Sequence, residues 1–246
     1  MEVHHHSHAG HGKKTLKEYS WEFLMLFLAV FCGFLAEYQL EHIIENQREK
    51  IYIRSYIDDL KSDIVFISNY QNVKEEKIKN FDSLIWYLNF PDLNKYGNRI
   101  YFYARQLTRR LNFFPSDGTI KQLKNSGGFR LIKNKKAIDS IISYDKSVEN
   151  ILLSQNVQTG EIADVRPIIG KLLDPNILET MIHEGTIQPP IGNPKLRTIN
   201  KEFILDFIYI VHQLKGTDVL NKSRLLELNN KADRIIKFLT KEYNLD

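Results

Sequence analysis

Histidines are the residues of this 246-residue chain whose type and spacing most suggest chemistry. His4, His5, His6, His8 and His11 crowd the N-terminus, just ahead of Lys13, Lys14 and Lys17. Clustered imidazoles bind Zn2+, Ni2+ or Cu2+. A structural metal site also needs ligands held at fixed positions, completed by a carboxylate or thiol set. The tail supplies neither, so a solvated or partner-bound tail is the favoured reading and a Zn- or Ni-binding tail the alternative. His183 and His212 stand alone, with no Cys or second His nearby in sequence, and read as packing or surface residues.

Other candidates fare worse. Ser126-Gly127-Gly128 has the glycines of a phosphate-cradling loop but lacks the Gly-Lys-Ser/Thr ending that gives such loops their function. It reads as a helix stop. The acid pairs Asp58-Asp59 and Glu75-Glu76 read as a wetted helix face. No Ser, Cys or Thr has a nucleophile setting, so no catalytic residue is assigned and the chain is not expected to be an enzyme. No cofactor is expected beyond a metal at the tail. Lys and Arg interleave with Asp and Glu at a formal net charge of +4, without a basic stripe threaded by aromatics, which argues against nucleic-acid binding.

The elements that carry these residues follow from composition. Hydrophobic residues make up 43% of the chain and charged residues 26%, ordinary values for a folded protein. Only 12 Gly and 7 Pro are present, too few turn formers for an all-β fold. The expectation is all-α. Cys32 is the single cysteine, so no disulfide can form within the chain.

Residues 19–40 contain an unbroken apolar core, Phe23 to Ala36, flanked by Tyr19, Trp21 and Tyr38. That core alone is shorter than the ~20 residues a bilayer asks for, but the flanking aromatics extend it to bilayer thickness. Apolar side chains surround it on every side, which leaves no polar face for water. Lys13, Lys14 and Lys17 precede the segment and Arg48 is the first cation after it. The positive-inside rule then places the N-terminus in the cytoplasm. The expected organisation is a cytoplasmic tail (1–18), a transmembrane helix (19–40) and an extracytoplasmic helical domain (41–246). Glu22, Ala29, Gly33 and Ala36 share one face of the span, with Cys32 beside them. Ala29 and Gly33 form a small-xxx-small pair that lets helix backbones approach closely.

Beyond the span, Ile53, Ile57, Leu60, Ile64 and Ile67 continue an amphipathic helix as far as Phe90, with a kink expected at residues 69–72 and a stop at Pro91. Helices are expected at 99–113 and 119–125, then from an Asn134 cap, and from the Asp174-Pro175 pair to about His183. Residues 185–197 read as a loop. Residues 203–214 form an apolar stretch, and the last helix is expected to begin at Thr217 or Asp218. In it, Leu225, Leu228, Ala232, Ile235 and Leu239 form a packing seam.

Two stretches carry a resemblance. HHHSHAGHGKKTLKEYSWEFLMLFLAVFCGFLAEYQLEHI and TIKQLKNSGGFRLIKNKKAIDSIISYD resemble a family of single-span membrane proteins common in Bacteroidetes. Its members share a His-rich opening, Lys-Glu-Tyr before the span, Ala-Glu leaving it, and a Leu-x-x-Ser-Gly element before Arg-Leu-Ile. The resemblance implies a bacterial inner-membrane anchor and a periplasmic helical domain, and it carries no activity. The function expected is a non-enzymatic accessory or scaffold subunit, partnered by membrane lipid and by other membrane subunits or itself. The alternatives are a small-ligand sensor using Trp86, Tyr87, Tyr101 and Tyr103, and metal handling by the tail.

Overall fold

The computed structural model describes residues 15–245, and they form an all-α protein. Its helices are α1 (Leu16–Leu88), α2 (Gly97–Gln106), α3 (Gly118–Asn125), α4 (Lys135–Leu172), α5 (Pro175–Glu179) and α6 (Lys201–Tyr243). Two-residue strands β1 (Ile182–His183) and β2 (Thr186–Ile187) pair antiparallel. The chain divides into two compact units, Met1–Lys50 and Ile51–Asp246.

In the first unit every described residue up to Leu40 is exposed. Phe23, Phe27 and Phe31 stack on one another one turn apart, with ring centroids 6.4 and 6.0 Å apart. This part of α1 is long and apolar enough to cross a membrane.

The second unit is organised by one pattern. In α1 the residues turned inward are Ile53, Tyr56, Leu60, Asp63, Ile67, Tyr70, Lys74, Lys77, Phe81, Leu84 and Leu88, at alternating steps of three and four. Helix α4 repeats the pattern from Ala137 to Leu172, and α6 from Ile204 to Leu239. A repeat averaging 3.5 residues keeps a seam facing its neighbours along the whole of a long helix. One apolar cluster joins residues 53–70 of α1, 137–151 of α4 and 225–243 of α6, while a second joins residues 81–88, 162–172 and 204–214. Helices α1 and α4 therefore run in the same direction and α6 runs against both. Helix α3 closes the first cluster and α2 the second.

Local chemistry sets the helix ends. The Asn134 side chain accepts from Ala137 N (3.2 Å) and Asn200 from Phe203 N (3.0 Å), each satisfying a backbone donor the helix leaves open. Asp174 caps α5 by accepting from Asn176 N at 2.9 Å. Gly127, at φ 65°, takes the left-handed conformation that suits a helix stop after Asn125.

Helix α1 is one continuous helix through residues 69–72. Three expectations need correction. The second helix ends at Gln106 rather than 113, because side chains satisfy the backbone beyond it. Tyr70 OH donates to Leu111 O (2.6 Å), and Gln155 Oε1 accepts from Phe113 N (3.0 Å). Helix α5 stops at Glu179, since Glu184 and Gly185 at positive φ turn the chain into the β1–β2 hairpin. Most consequentially, no helix starts at Thr217 or Asp218: α6 is a single 43-residue helix. Gly216 inside it costs roughly 1 kcal/mol against Ala, a cost that the apolar seams on either side outweigh.

Candidate functional site

Between the two apolar clusters the seam turns polar on all three long helices. Helix α1 contributes Lys74 and Lys77, α4 contributes Gln155 and Gln158, and α6 contributes Asp218 and Asn221. Asp218 is fully buried and Lys74 is 2% exposed. Lys74 Nζ donates to Asp218 Oδ1, and Lys77 Nζ lies 2.9 Å from Asp218 Oδ2. Lys74 also lies over the Tyr70 ring, 5.3 Å from its centroid, and Lys77 over the Phe81 ring at 5.5 Å. One buried carboxylate thus serves two ammonium groups, that of Lys74 buried and that of Lys77 part-exposed.

The electrostatics of the trio are unequal. Burial pushes the Asp218 carboxyl pKa up, but the charges of Lys77 and Lys74 and their hydrogen bonds outweigh burial and hold it below the usual carboxylate value. Burial pushes Lys77 below the usual amine value; Asp218 opposes this, while repulsion from Lys74 and Arg110 adds to it. Burial thus works against the charge of Lys77 even with Asp218 beside it.

The rest of the layer is only partly satisfied. Ser154 Oγ donates to Asn221 Oδ1 (2.5 Å) and accepts from Arg224 Nη1 (2.6 Å). Thr217 Oγ1 donates to Glu161 Oε1 at 2.8 Å. Gln158 Nε2 and Asn221 Nδ2 are buried without a hydrogen-bond partner among the described residues. A partly satisfied buried polar layer weakens a core, but polar residues at seam positions also fix helix register, because a slipped register strands them in apolar surroundings.

Beside this layer a pocket of about 320 Å3 opens to solvent, lined by Lys74, Lys77, Asn80, Phe102, Gln106, Arg109, Arg110 and their neighbours. Arg110 Nη1 donates to Thr159 Oγ1. No hydrogen bond or ion pair involves the Arg109 guanidinium among the described residues.

A second buried polar cluster centres on Asp63, 2% exposed, which accepts from Ser116 N (2.7 Å) and Tyr144 OH (2.7 Å). Burial, reinforced by the Asp59 charge, raises the Asp63 pKa against the lowering effect of these hydrogen bonds. Asp59 accepts from Thr119 N at 2.9 Å, so it caps α3 from another helix. Asp59 is thus half-buried, whereas Asp58 beside it is exposed as expected. Glu75 and Glu76 are exposed as expected, Glu75 accepting from Lys222 Nζ at 2.5 Å.

The residues singled out in sequence fall as follows. Glu22, Ala29, Cys32, Gly33 and Ala36 are all exposed on α1, and a Cβ added at Gly33 would meet nothing within 4 Å. His4, His5, His6, His8 and His11 lie outside the described residues. His183 and His212 are exposed and far apart in the chain. Among the described residues no group of three or more His, Cys, Asp or Glu is placed to hold a metal ion. Of the sensor aromatics, Trp86, Tyr87 and Tyr103 join one ring cluster, with Trp86–Tyr87 centroids 4.8 Å and Tyr87–Tyr103 centroids 5.9 Å apart. Tyr101 is fully buried: its hydroxyl donates to Lys195 O (3.2 Å) and accepts from Asp174 N (2.8 Å), a structural role.

Lys74, Lys77, Asp218, Arg109 and Arg110 were missed in sequence, although a signal existed. Extending the three-four seam through each long helix places Lys74, Lys77, Gln155, Gln158, Asp218 and Asn221 at inward positions. No family model, curated protein or solved structure matches the chain.

Proposed function

We propose that this chain is a membrane-anchored, non-enzymatic accessory or scaffold subunit. It crosses a bacterial inner membrane once, with its basic N-terminal tail in the cytoplasm and its helical domain in the periplasm. One observation carries the reading: residues 16–40 of α1 are exposed on every side although they are mostly apolar. At roughly 25 cal/mol per Å2 of apolar surface, leaving Phe23, Leu26, Phe27, Phe31 and Phe34 in water is costly, whereas a bilayer removes them from it. The Glu22, Ala29, Cys32, Gly33 and Ala36 face then packs against another subunit's helix or a second copy of this one. In the domain, the exposed side chains of Leu153, Val157 and Leu220 line a groove of about 470 Å3 that would take a partner.

Membrane fractionation tests the anchor. The full chain is expected to stay in the membrane pellet through an alkaline carbonate wash. Release into the supernatant would remove the reading.

The sensor alternative is favoured by the cationic pocket at the polar layer, which has the size and mixed lining of a small-ligand site. Metal handling by the tail remains a third reading. It stands if Zn2+ or Ni2+ at micromolar concentration binds the full chain better than its His→Ala tail variant, and falls if the two bind alike.

A further inference from the structure

Lys74 and Lys77 bring two positive charges into the bundle and Asp218 returns one negative charge. Arg109 and Arg110 line the same pocket, and Glu76 is the one acid among its lining residues. Four cations against Asp218 and Glu76 leave two positive charges unmatched. The repulsion that Lys77 feels from Lys74 and Arg110 has the same origin. Donor capacity is also spare. Lys77 carries three N–H donors and directs one charge contact to Asp218, while Arg110 uses one arm on Thr159. Arg109 presents an uncommitted fork of five donors, the geometry that matches phosphate oxygens in pairs. The Phe102 ring and the side chains of Val73 and Leu111 add an apolar wall.

We propose that this pocket binds a small phosphomonoester, its phosphate held by Lys77, Arg109 and Arg110 and its organic part against Phe102, Val73 and Leu111. The charge argues for a phosphate rather than a monocarboxylate or sulfate ester: a phosphomonoester carries about −1.5 to −2 at neutral pH, which matches the surplus. The volume argues for a small ligand, since about 320 Å3 is at the lower end of small-molecule sites. The pocket lies wholly within the 51–246 unit, so the site stands or falls independently of the membrane anchor.

The test is isothermal titration of the full chain in neutral detergent micelles at fixed ionic strength. The probes are phenyl phosphate, phenyl sulfate (the same shape with a single charge) and inorganic phosphate. Phenyl phosphate is expected to bind saturably at one site and more tightly than either of the others. Arg109→Ala removes an exposed side chain that has no hydrogen-bond or ion-pair partner among the described residues, so the fold is kept, and it should weaken binding by roughly tenfold or more. Arg166→Ala, an exposed cation that does not line the pocket, should change nothing. Absence of saturable binding at millimolar phenyl phosphate would overturn the proposal, as would equal affinity in the Arg109→Ala variant. Equal binding of phenyl sulfate would overturn the dianion assignment. Inorganic phosphate binding as tightly as phenyl phosphate would overturn the role given to Phe102, Val73 and Leu111.

Discussion

Replacing Asp218 by Asn tests the polar layer most sharply, because the change keeps the side chain's shape and removes its charge. Asp218 is fully buried and holds Lys74 by a hydrogen bond and Lys77 at 2.9 Å. At that separation, with an effective dielectric near 20, a single pair attracts by roughly 6 kcal/mol before desolvation is counted. Asparagine leaves two ammonium groups with no anion between them. One of them, Lys74, is only 2% exposed. Breaking a buried pair this way costs about 3–5 kcal/mol, mostly the cost of the stranded charge. The assay is urea denaturation of the full chain in micelles, followed by helical circular dichroism. With a slope of about 2–3 kcal/mol/M, the midpoint should fall by roughly 1–2.5 M. The triple variant Lys74→Met/Lys77→Met/Asp218→Leu should recover most of the loss, since a well-packed apolar replacement of a whole buried ionic group is commonly neutral or stabilising. An Asp218→Asn midpoint within about 0.3 M of the parent would refute the reasoning, as would a triple variant whose losses simply add.

Gly33→Leu should reduce co-purification of partner subunits, or the mass of a homo-oligomer, without changing membrane retention. A Cβ added there meets nothing within 4 Å among the described residues, so the change bears on intermolecular packing; unchanged assembly would count against the packing face. Asp63 supplies a pH test with a defined sign. Its folded-state pKa is raised, so the stability it contributes is present below the unfolded value near 4 and is lost as pH rises through the folded value. Asp63→Asn keeps an acceptor for Ser116 N, and its melting temperature relative to the parent should climb between pH 4 and neutrality; a flat or falling difference would contradict this. Orientation is checked by thiol labelling in a Cys32→Ala background. Ser62→Cys should react with a membrane-impermeant maleimide in intact spheroplasts and Lys17→Cys only after lysis, and the reverse pattern would invert the topology.

Much of the fold was legible in the sequence because it depends on local rules. The apolar run around residues 23–36, the Asn134 cap, the Gly127 stop and the 225–239 seam each act within a turn or two of chain. The misreadings share one cause. Asp218 follows Gly216 and Thr217, the local signature of a helix start, yet the bundle keeps α6 continuous and gives the carboxylate lysines from α1 as partners. Asp59 looked like a wetted acid because its partner, Thr119 N, is distant in sequence. Residues 107–113 looked like a continuation of the second helix, but side chains of other helices take up backbone groups there, Tyr70 at Leu111 O and Gln155 at Phe113 N. Residues whose partners lie on other elements are invisible to local patterns. The layer would still have surfaced from the seam register, which places six polar residues at inward positions on three helices.

The central claim is that this chain is an anchored subunit of a membrane assembly. Its most direct test is gentle detergent extraction of the native protein, followed by native mass determination and identification of co-migrating chains. The account predicts a stable assembly larger than the 28.9 kDa chain, containing other membrane proteins or further copies. A lone monomer would contradict it.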